Sequence, residues 1–348
     1  MARPDNTDRL RAQLEAWRKA LINLTRANRL LYLKPGAVLE IAEPGPDEIY
    51  ARLEAGLEVV ESRDPELFPE QPPRPLRAGQ IRFGPIARST TSAKLRGLDR
   101  TATQAFLDRG VWTLYLGFGL LEWEDAPPAT GPAEKAYSPL LLVPVTVKRD
   151  SLAEPFKIRR AEEEQRFNPA LAAKLEDDFG ITLKLPSDDE DLEPEQIFEA
   201  VARQVTRNGW AVHRRTVLST FTFHKEPILR DLAANEALVL ASEIVRGLAI
   251  GADAGVSFEF EPIDEGEIDR AAPPEKVVTI LDADSSQRRA IAASISGKSF
   301  VMDGPPGTGK SQTIANMVAE LLTRKKSVLF VSDKAAALDV VHARLKDA

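Results

Sequence analysis

The stretch "VMDGPPGTGKSQTIANM", residues 301 to 317, sets glycines, prolines and one lysine in an order that packing alone does not require. Gly304, Gly309, Lys310 and Ser311 meet the pattern GxxxxGK[ST], in which a glycine loop joins a strand to a helix. The flanks fit that geometry. "SFVMDG" reads as a short buried strand, "KSQTIANMVAELLTR" as a helix and "SVLFVS" as the next strand, the order of a phosphate-binding βαβ unit.

The residue types answer to the chemistry of an anion. Glycines let the backbone turn N–H groups inward around phosphates, and a helix N-terminus adds a partial positive charge aimed at the same place. Lys310 reaches the β- and γ-phosphates as a point charge and is the candidate catalytic residue, while the Ser311 hydroxyl is the candidate metal ligand, for Mg²⁺. The candidate ATP-binding set is Gly304, Pro305, Pro306, Gly307, Thr308, Gly309, Lys310, Ser311 and Gln312, with Pro305 and Pro306 stiffening the loop.

Composition narrows the remaining classes. A chain of 348 residues suggests two domains, or one large one with an insertion. The absence of cysteine excludes a disulfide framework, a thiolate metal site and a cysteine nucleophile, and His213, His224 and His342 lie too far apart for ligand spacing. No apolar run approaches the ~20 residues of a membrane span, and "MARPDNTDRL" lacks the apolar core of a signal peptide, so the expectation is a cytoplasmic protein without a membrane partner. A net charge of -7 argues against a general coat of positive charge but leaves a local basic groove open.

Upstream, "DRLRAQLEAWRKALINLTRANRLLYL" spaces Leu10, Leu14, Trp17, Leu21 and Leu24 at three- and four-residue steps, with Leu31 two such steps further on, and predicts one helix over 8–33, ended by "KPG". Five prolines in "DPELFPEQPPRPLRAG", 64–79, predict an extended linker. Strands are expected in "VWTLYLGFGLLEWED", "SPLLLVPVTVKRD", "EPFKIRRAEEEQ" and "WAVHRRTVLSTFTFH". Helices are expected in "NPALAAKLEDDFG", with Asn168 as cap and Gly180 as stop, in "DLEPEQIFEAVARQVTRNG", and, as one long helix, in "PILRDLAANEALVLASEIVRGLAIG". The acidic run at 187–195 reads as a solvated helix N-terminus rather than a metal cluster. The fold class expected is α/β and α+β: an accessory α+β domain over 1–250, a connector over 251–274, and the start of a RecA-like P-loop lobe over 275–348.

"GPPGTGKS" resembles the wording of both ring-forming AAA+ ATPases and one branch of superfamily I DNA/RNA helicases. The flanks favour the second. "LDADSSQRRAI", 281–291, is similar to the helicase glutamine motif, which implies that Gln287 contacts the adenine. "VLFVSDKAAALDVVHARL", 328–345, resembles the helicase segment called motif Ia, which implies that Ser332 and Lys334 face a single-strand backbone. "WRKALINLTRANRLLYL", "LYLGFGLLEWE", "YSPLLLVPVTVKR" and "FNPALAAKLEDDFGITL" are similar to the N-terminal domain of unknown function of large bacterial superfamily I helicases. Asn28, Arg29, Trp123 and Asn168 fall in these stretches, and the family lends none of them a catalytic role.

The resemblance implies an ATP-dependent helicase or translocase acting on single-stranded DNA or RNA, with a nuclease-like C-terminal domain in some relatives. Such a motor also needs an acidic pair for Mg²⁺ and arginines from a second lobe. Asp264 and Glu265 precede the loop and end no strongly apolar strand, so they do not qualify. The expectation is therefore the front part of a longer protein, with its last ~70 residues poorly packed by themselves. An AAA+ type ATPase that remodels proteins, or an inert binding module acting through its N-terminal domain, stays open as an alternative.

Overall fold

The computed structural model describes residues 6–34, 36, 38–60, 74–84, 88–125, 135–151, 153–186, 192–205, 209–222, 225–305, 307–332 and 334–346. It divides into two compact units, one of Leu14–Phe106 with Val111–Glu236, the other of Met1–Gln13, Leu107–Gly110 and Ala237–Ala348. The elements up to residue 234 are α1 (Asn6–Leu21), β1 (Leu39–Glu43), α2 (Pro46–Arg52), β2 (Leu57–Val59), β3 (Gln80–Phe83), α3 (Arg88–Arg109), β4 (Leu114–Glu124), β5 (Lys135–Lys148), β6 (Lys157–Arg160), β7 (Arg166–Phe167), α4 (Pro169–Phe179), α5 (Pro194–Gln204), β8 (Ala211–Thr220) and α6 (Glu226–Ala234). Beyond them lie α7 (Glu236–Ala241), α8 (Glu243–Ile250), α9 (Ile268–Ala271), α10 (Ser285–Ile295), α11 (Lys310–Thr323) and α12 (Ala335–Lys346).

All the described strands belong to the first unit, and their ladder closes on itself. The order β4-β8-β1-β3-β2-β6-β5 returns to its start through the β4–β5 pairing, with β7 added on β5. Closure removes the unpaired edges that an open sheet would present. Only β2 and β3 run parallel; the other pairings are antiparallel. Strand β4 is buried at ten consecutive positions from Leu114 to Trp123, which is why its sequence reads as a continuous apolar run rather than an alternating one.

Helix α5 covers part of this surface with Ile197, Phe198 and Val201. At Gly119 the β4–β8 register shifts and φ is +72°, and a Cβ there would come within 2.2 Å of the Phe198 ring. Glycine is needed twice over, for the left-handed backbone and for the close approach of the ring.

The expected strands at 111–125, 154–165 and 210–224 contain β4, β6 and β8, and the one at 138–150 overlaps β5, which starts three residues earlier. Helix α4 starts and stops where its residues indicate: the Asn168 side chain accepts the Leu171 N–H at 3.1 Å, and Gly180 takes φ +63°. Strands β1 to β3 and helix α2 were outside the sequence reading, being too short to show a period. Pro35 of the stop "KPG", much of the 64–79 linker and much of the 187–195 acidic run lie outside the described residues.

Three expectations are corrected. The helix predicted over 8–33 ends at Leu21. Asn23 takes the Thr25 N–H at 3.0 Å and the Thr25 hydroxyl at 2.7 Å, and the Asn28 amide donates to the Asn23 carbonyl at 2.6 Å. These side-chain bonds offer the backbone an alternative to the helix. The long helix expected over 227–251 is three, because Asn235 ends α6 and Ser242 caps α8 by accepting from Val245. Finally, the apolar runs at 299–304 and 327–332 form no strand. Val301 is 94% exposed and Leu329 is 88% exposed, as befits would-be parallel strands with no paired neighbour.

Candidate nucleotide site

The glycine loop leads directly into α11. Gly309 stands at the N-cap with φ +77° and ψ +18°, Gly307 has φ +87°, and no side chain caps the helix. Asn168, Ser242 and Asp284 cap α4, α8 and α10, whereas α2, α5, α6 and α9 share with α11 the lack of a side-chain cap; α11 differs from these in being entered through two glycines of positive φ. A bare N-terminus reached through left-handed glycines is the arrangement in which backbone N–H groups are available to an anion.

The loop is braced from inside. The Thr308 hydroxyl donates to the Pro305 carbonyl at 2.8 Å, and the Gln312 and Thr313 N–H groups donate to the Gly309 carbonyl, each at 2.9 Å. The Lys310 ammonium donates to the Gly304 carbonyl and, at 2.9 Å, to that of Pro305. It lies folded over the loop, where a phosphate would compete for it. The Ser311 hydroxyl, at the second helical position, makes no hydrogen bond among the described residues, so its lone pairs are open to a hard cation.

Gln287 lies beside this loop. Its side-chain amide donates to the Thr308 carbonyl at 3.3 Å, and a Cβ on Gly309 would come within 2.3 Å of that nitrogen. It also closes a capping box on α10: Asp284 accepts the Gln287 N–H at 2.8 Å, and the Gln287 side-chain oxygen accepts the Asp284 N–H at 3.3 Å. The hydrogen bonds from the Gln287 N–H and the Ser286 hydroxyl hold the Asp284 carboxyl below its ordinary range.

What holds these parts together lies on one face of α11 and escaped the sequence reading. Gln312, Asn316, Glu320 and Arg324 recur every fourth residue, and each bonds the segment 276–282. The Gln312 amide donates to the Asp282 carbonyl. Asn316 accepts the N–H groups of Ile280 and Leu281 at 2.9 and 3.0 Å and returns a bond to the Leu281 carbonyl at 3.0 Å. Glu320 accepts the Val278 N–H at 2.6 Å, and Arg324 pairs with Glu320 at 2.7 Å. Asn316 and Glu320 are buried, so this stripe is a polar core supplying the backbone partners that a sheet neighbour would otherwise give. The four-residue repeat of polar side chains was the available signal.

The sequence candidates thus divide. Gln287, Gly304, Pro305, Gly307, Thr308, Gly309, Lys310, Ser311 and Gln312 are gathered at one place, while Pro306 lies outside the described residues. The Ser332 hydroxyl accepts the Lys334 N–H at 3.3 Å, and no described contact joins either residue to the loop. Asp264 caps a short turn through the Gly266 N–H, and Glu265 pairs with Arg289 at 3.5 Å. Among the described residues no cluster of histidine and carboxylate side chains could hold a metal ion, and no helix is long and apolar enough to cross a membrane.

Residues 20–175 match the family model "Protein of unknown function (DUF4011)", and residues 282–348 match the model "AAA domain". A segment of 62 residues is 50% identical to the "Uncharacterized ATP-dependent helicase MG140 homolog" of Mycoplasma pneumoniae, and 48% identical to "Uncharacterized ATP-dependent helicase MG140" of Mycoplasma genitalium. Each match covers 18% of this chain and 6% of the relative. No solved structure matches. The chain thus carries a segment similar to the DUF4011 model and a segment similar to an AAA domain of the superfamily I helicase type, and two proteins named as ATP-dependent helicases match it over part of its length.

Proposed function

We propose that this chain is the N-terminal part of an ATP-dependent superfamily I DNA/RNA helicase or translocase, and that residues 304–312 with Gln287 bind its ATP. The observation that carries this reading is the uncapped N-terminus of α11, entered through Gly307 and Gly309 with Lys310 folded over the loop.

On this reading the backbone N–H groups at the start of α11 take phosphate oxygens, and Lys310 leaves the Gly304 and Pro305 carbonyls for the β- and γ-phosphates. Gln287, already against the loop at Thr308, turns its amide to the adenine. The Ser311 hydroxyl would hold Mg²⁺, which supplies charge neutralisation at the phosphate oxygens. Gln312 and Asn316 keep the adenine side and the phosphate side in register. Hydrolysis is assigned to an acidic pair and to arginines of a longer parent, whose motor would track single-stranded DNA or RNA.

Titration with a fluorescent ATP analogue in the presence of Mg²⁺ tests the site. Lys310→Ala should weaken binding by about tenfold or more, as loss of a charge-assisted contact to phosphate costs roughly 1.5–3 kcal/mol. Equal affinity in wild type and variant would refute the assignment.

A further inference from the structure

A second site is carried by the N-terminal unit, around residues that the nucleotide loop does not use. A cavity of about 570 Å³ opens where the end of α1, the turn 22–30, the start of α4, the end of β8 and the start of α6 meet. That volume lies within the range of small-molecule sites and is larger than an inorganic anion needs.

Its walls are fixed. Asn28 bonds the Asn23 carbonyl at 2.6 Å and accepts the Leu30 N–H at 3.0 Å, while the buried Asn168 amide donates to the Leu30 carbonyl at 2.6 Å and the Pro139 carbonyl at 2.8 Å. Asn28 and Asn168 are thereby spent on structure. Trp123 is too, since its indole N–H donates to Ser138 at 2.9 Å and Ser138 in turn donates to the Leu31 carbonyl at 2.8 Å.

Arg29 is different. Its guanidinium reaches only the Thr220 hydroxyl, at 3.5 Å, and it has no carboxylate partner among the described residues. Lys225, which also lines the cavity, is likewise without one among the described residues. In a chain of net charge -7, the described residues lining this cavity include two cations and no carboxylate. Such a pair favours an anion, and phosphate in particular. Leu21, Ile22 and Leu229 give the same cavity an apolar side, and the Thr222 hydroxyl makes no hydrogen bond among the described residues.

We infer that this cavity binds a nucleoside phosphate, its phosphate between Arg29 and Lys225 and its base against Leu21, Ile22 and Leu229. The unit is supplied either by a free mononucleotide or by the 5′-phosphorylated end of a single strand. It is distinct from the glycine-loop site and does not depend on the function proposed for that loop.

The test uses the full chain carrying Lys310→Ala, so that the glycine loop is already impaired, and an internally labelled oligo-dT with a 5′-phosphate read by fluorescence anisotropy. The paired change Arg29→Ala with Lys225→Ala should weaken binding about tenfold or more and reduce the salt slope by about 0.7, the release expected for one single-strand phosphate contact. Arg29→Lys should retain the slope, and because both side chains are exposed, thermal unfolding should not move. Displacement of the oligonucleotide by dTMP identifies the free nucleotide as sufficient; displacement only by an unlabelled 5′-phosphorylated strand identifies the strand end. Unchanged affinity and slope in the paired variant, or no binding of either probe, overturns the inference.

Discussion

The side-chain amide of Asn168 holds the carbonyl oxygen of Leu30 at 2.6 Å, across 138 positions of sequence. The same residue caps α4 and is fully buried. Asn168→Ala removes the cap and strands two carbonyl oxygens, so it should cost about 2–4 kcal/mol in urea unfolding. A loss below about 1 kcal/mol would mean that the segment around Leu30 is held by its leucines alone.

Asn316→Ala should release the segment 276–282 from α11. Three hydrogen bonds are lost at once, and the expected sign is faster hydrogen exchange at Ile280 and Leu281, by about tenfold or more. Exchange at Leu116, in the closed sheet of the other unit, serves as the internal control and should stay slow.

Gly309→Ala and Gly307→Ala separate two kinds of strain. Both positions have φ near +80°, where alanine costs about 1–2 kcal/mol, but only at Gly309 does a Cβ run into Gln287. The Gly309 change should therefore weaken binding of the ATP analogue more than the Gly307 change does. The reverse order in a parallel titration would count against the position of Gln287.

Acid should act on the first unit through Glu122. Hydrogen bonds from Lys135, then His213, outweigh burial and hold its carboxyl at about 2, well below its ordinary 4.5. A depressed pKa stabilises the fold above the unfolded value and the contribution fades as pH falls from about 4.5 toward about 2. Glu122→Gln should flatten the pH dependence of unfolding in that window, and an unchanged profile would show that other carboxylates set the acid limit.

Much of this architecture could be read from residues, and the failures have common causes. Asn168, Pro169 and Gly180 marked α4 because capping is local chemistry, and the long apolar runs of β4 and β5 announced themselves by composition. The helix over 8–33 was overextended because leucines at helical spacing also occur where Leu30 and Leu31 plug the core from a turn braced by Asn23 and Asn28. Ring closure depends on pairings far apart in sequence, such as Leu39 with Leu218, and no local pattern encodes them. At the loop, the glycines and Lys310 were legible as a motif. Asn316 and Glu320 were not, since polar residues on a helix read by default as its solvated face.

The stripe on α11 also sets a rule for length changes. Its members are four apart, so one residue inserted between Gln312 and Asn316 would swing Asn316, Glu320 and Arg324 around the axis by about 100° relative to Gln312. Helix α11 therefore serves as a ruler between Lys310 and the strap that leads to Gln287. Substitutions along it can be absorbed one at a time, whereas insertions and deletions should be rejected throughout 312–324.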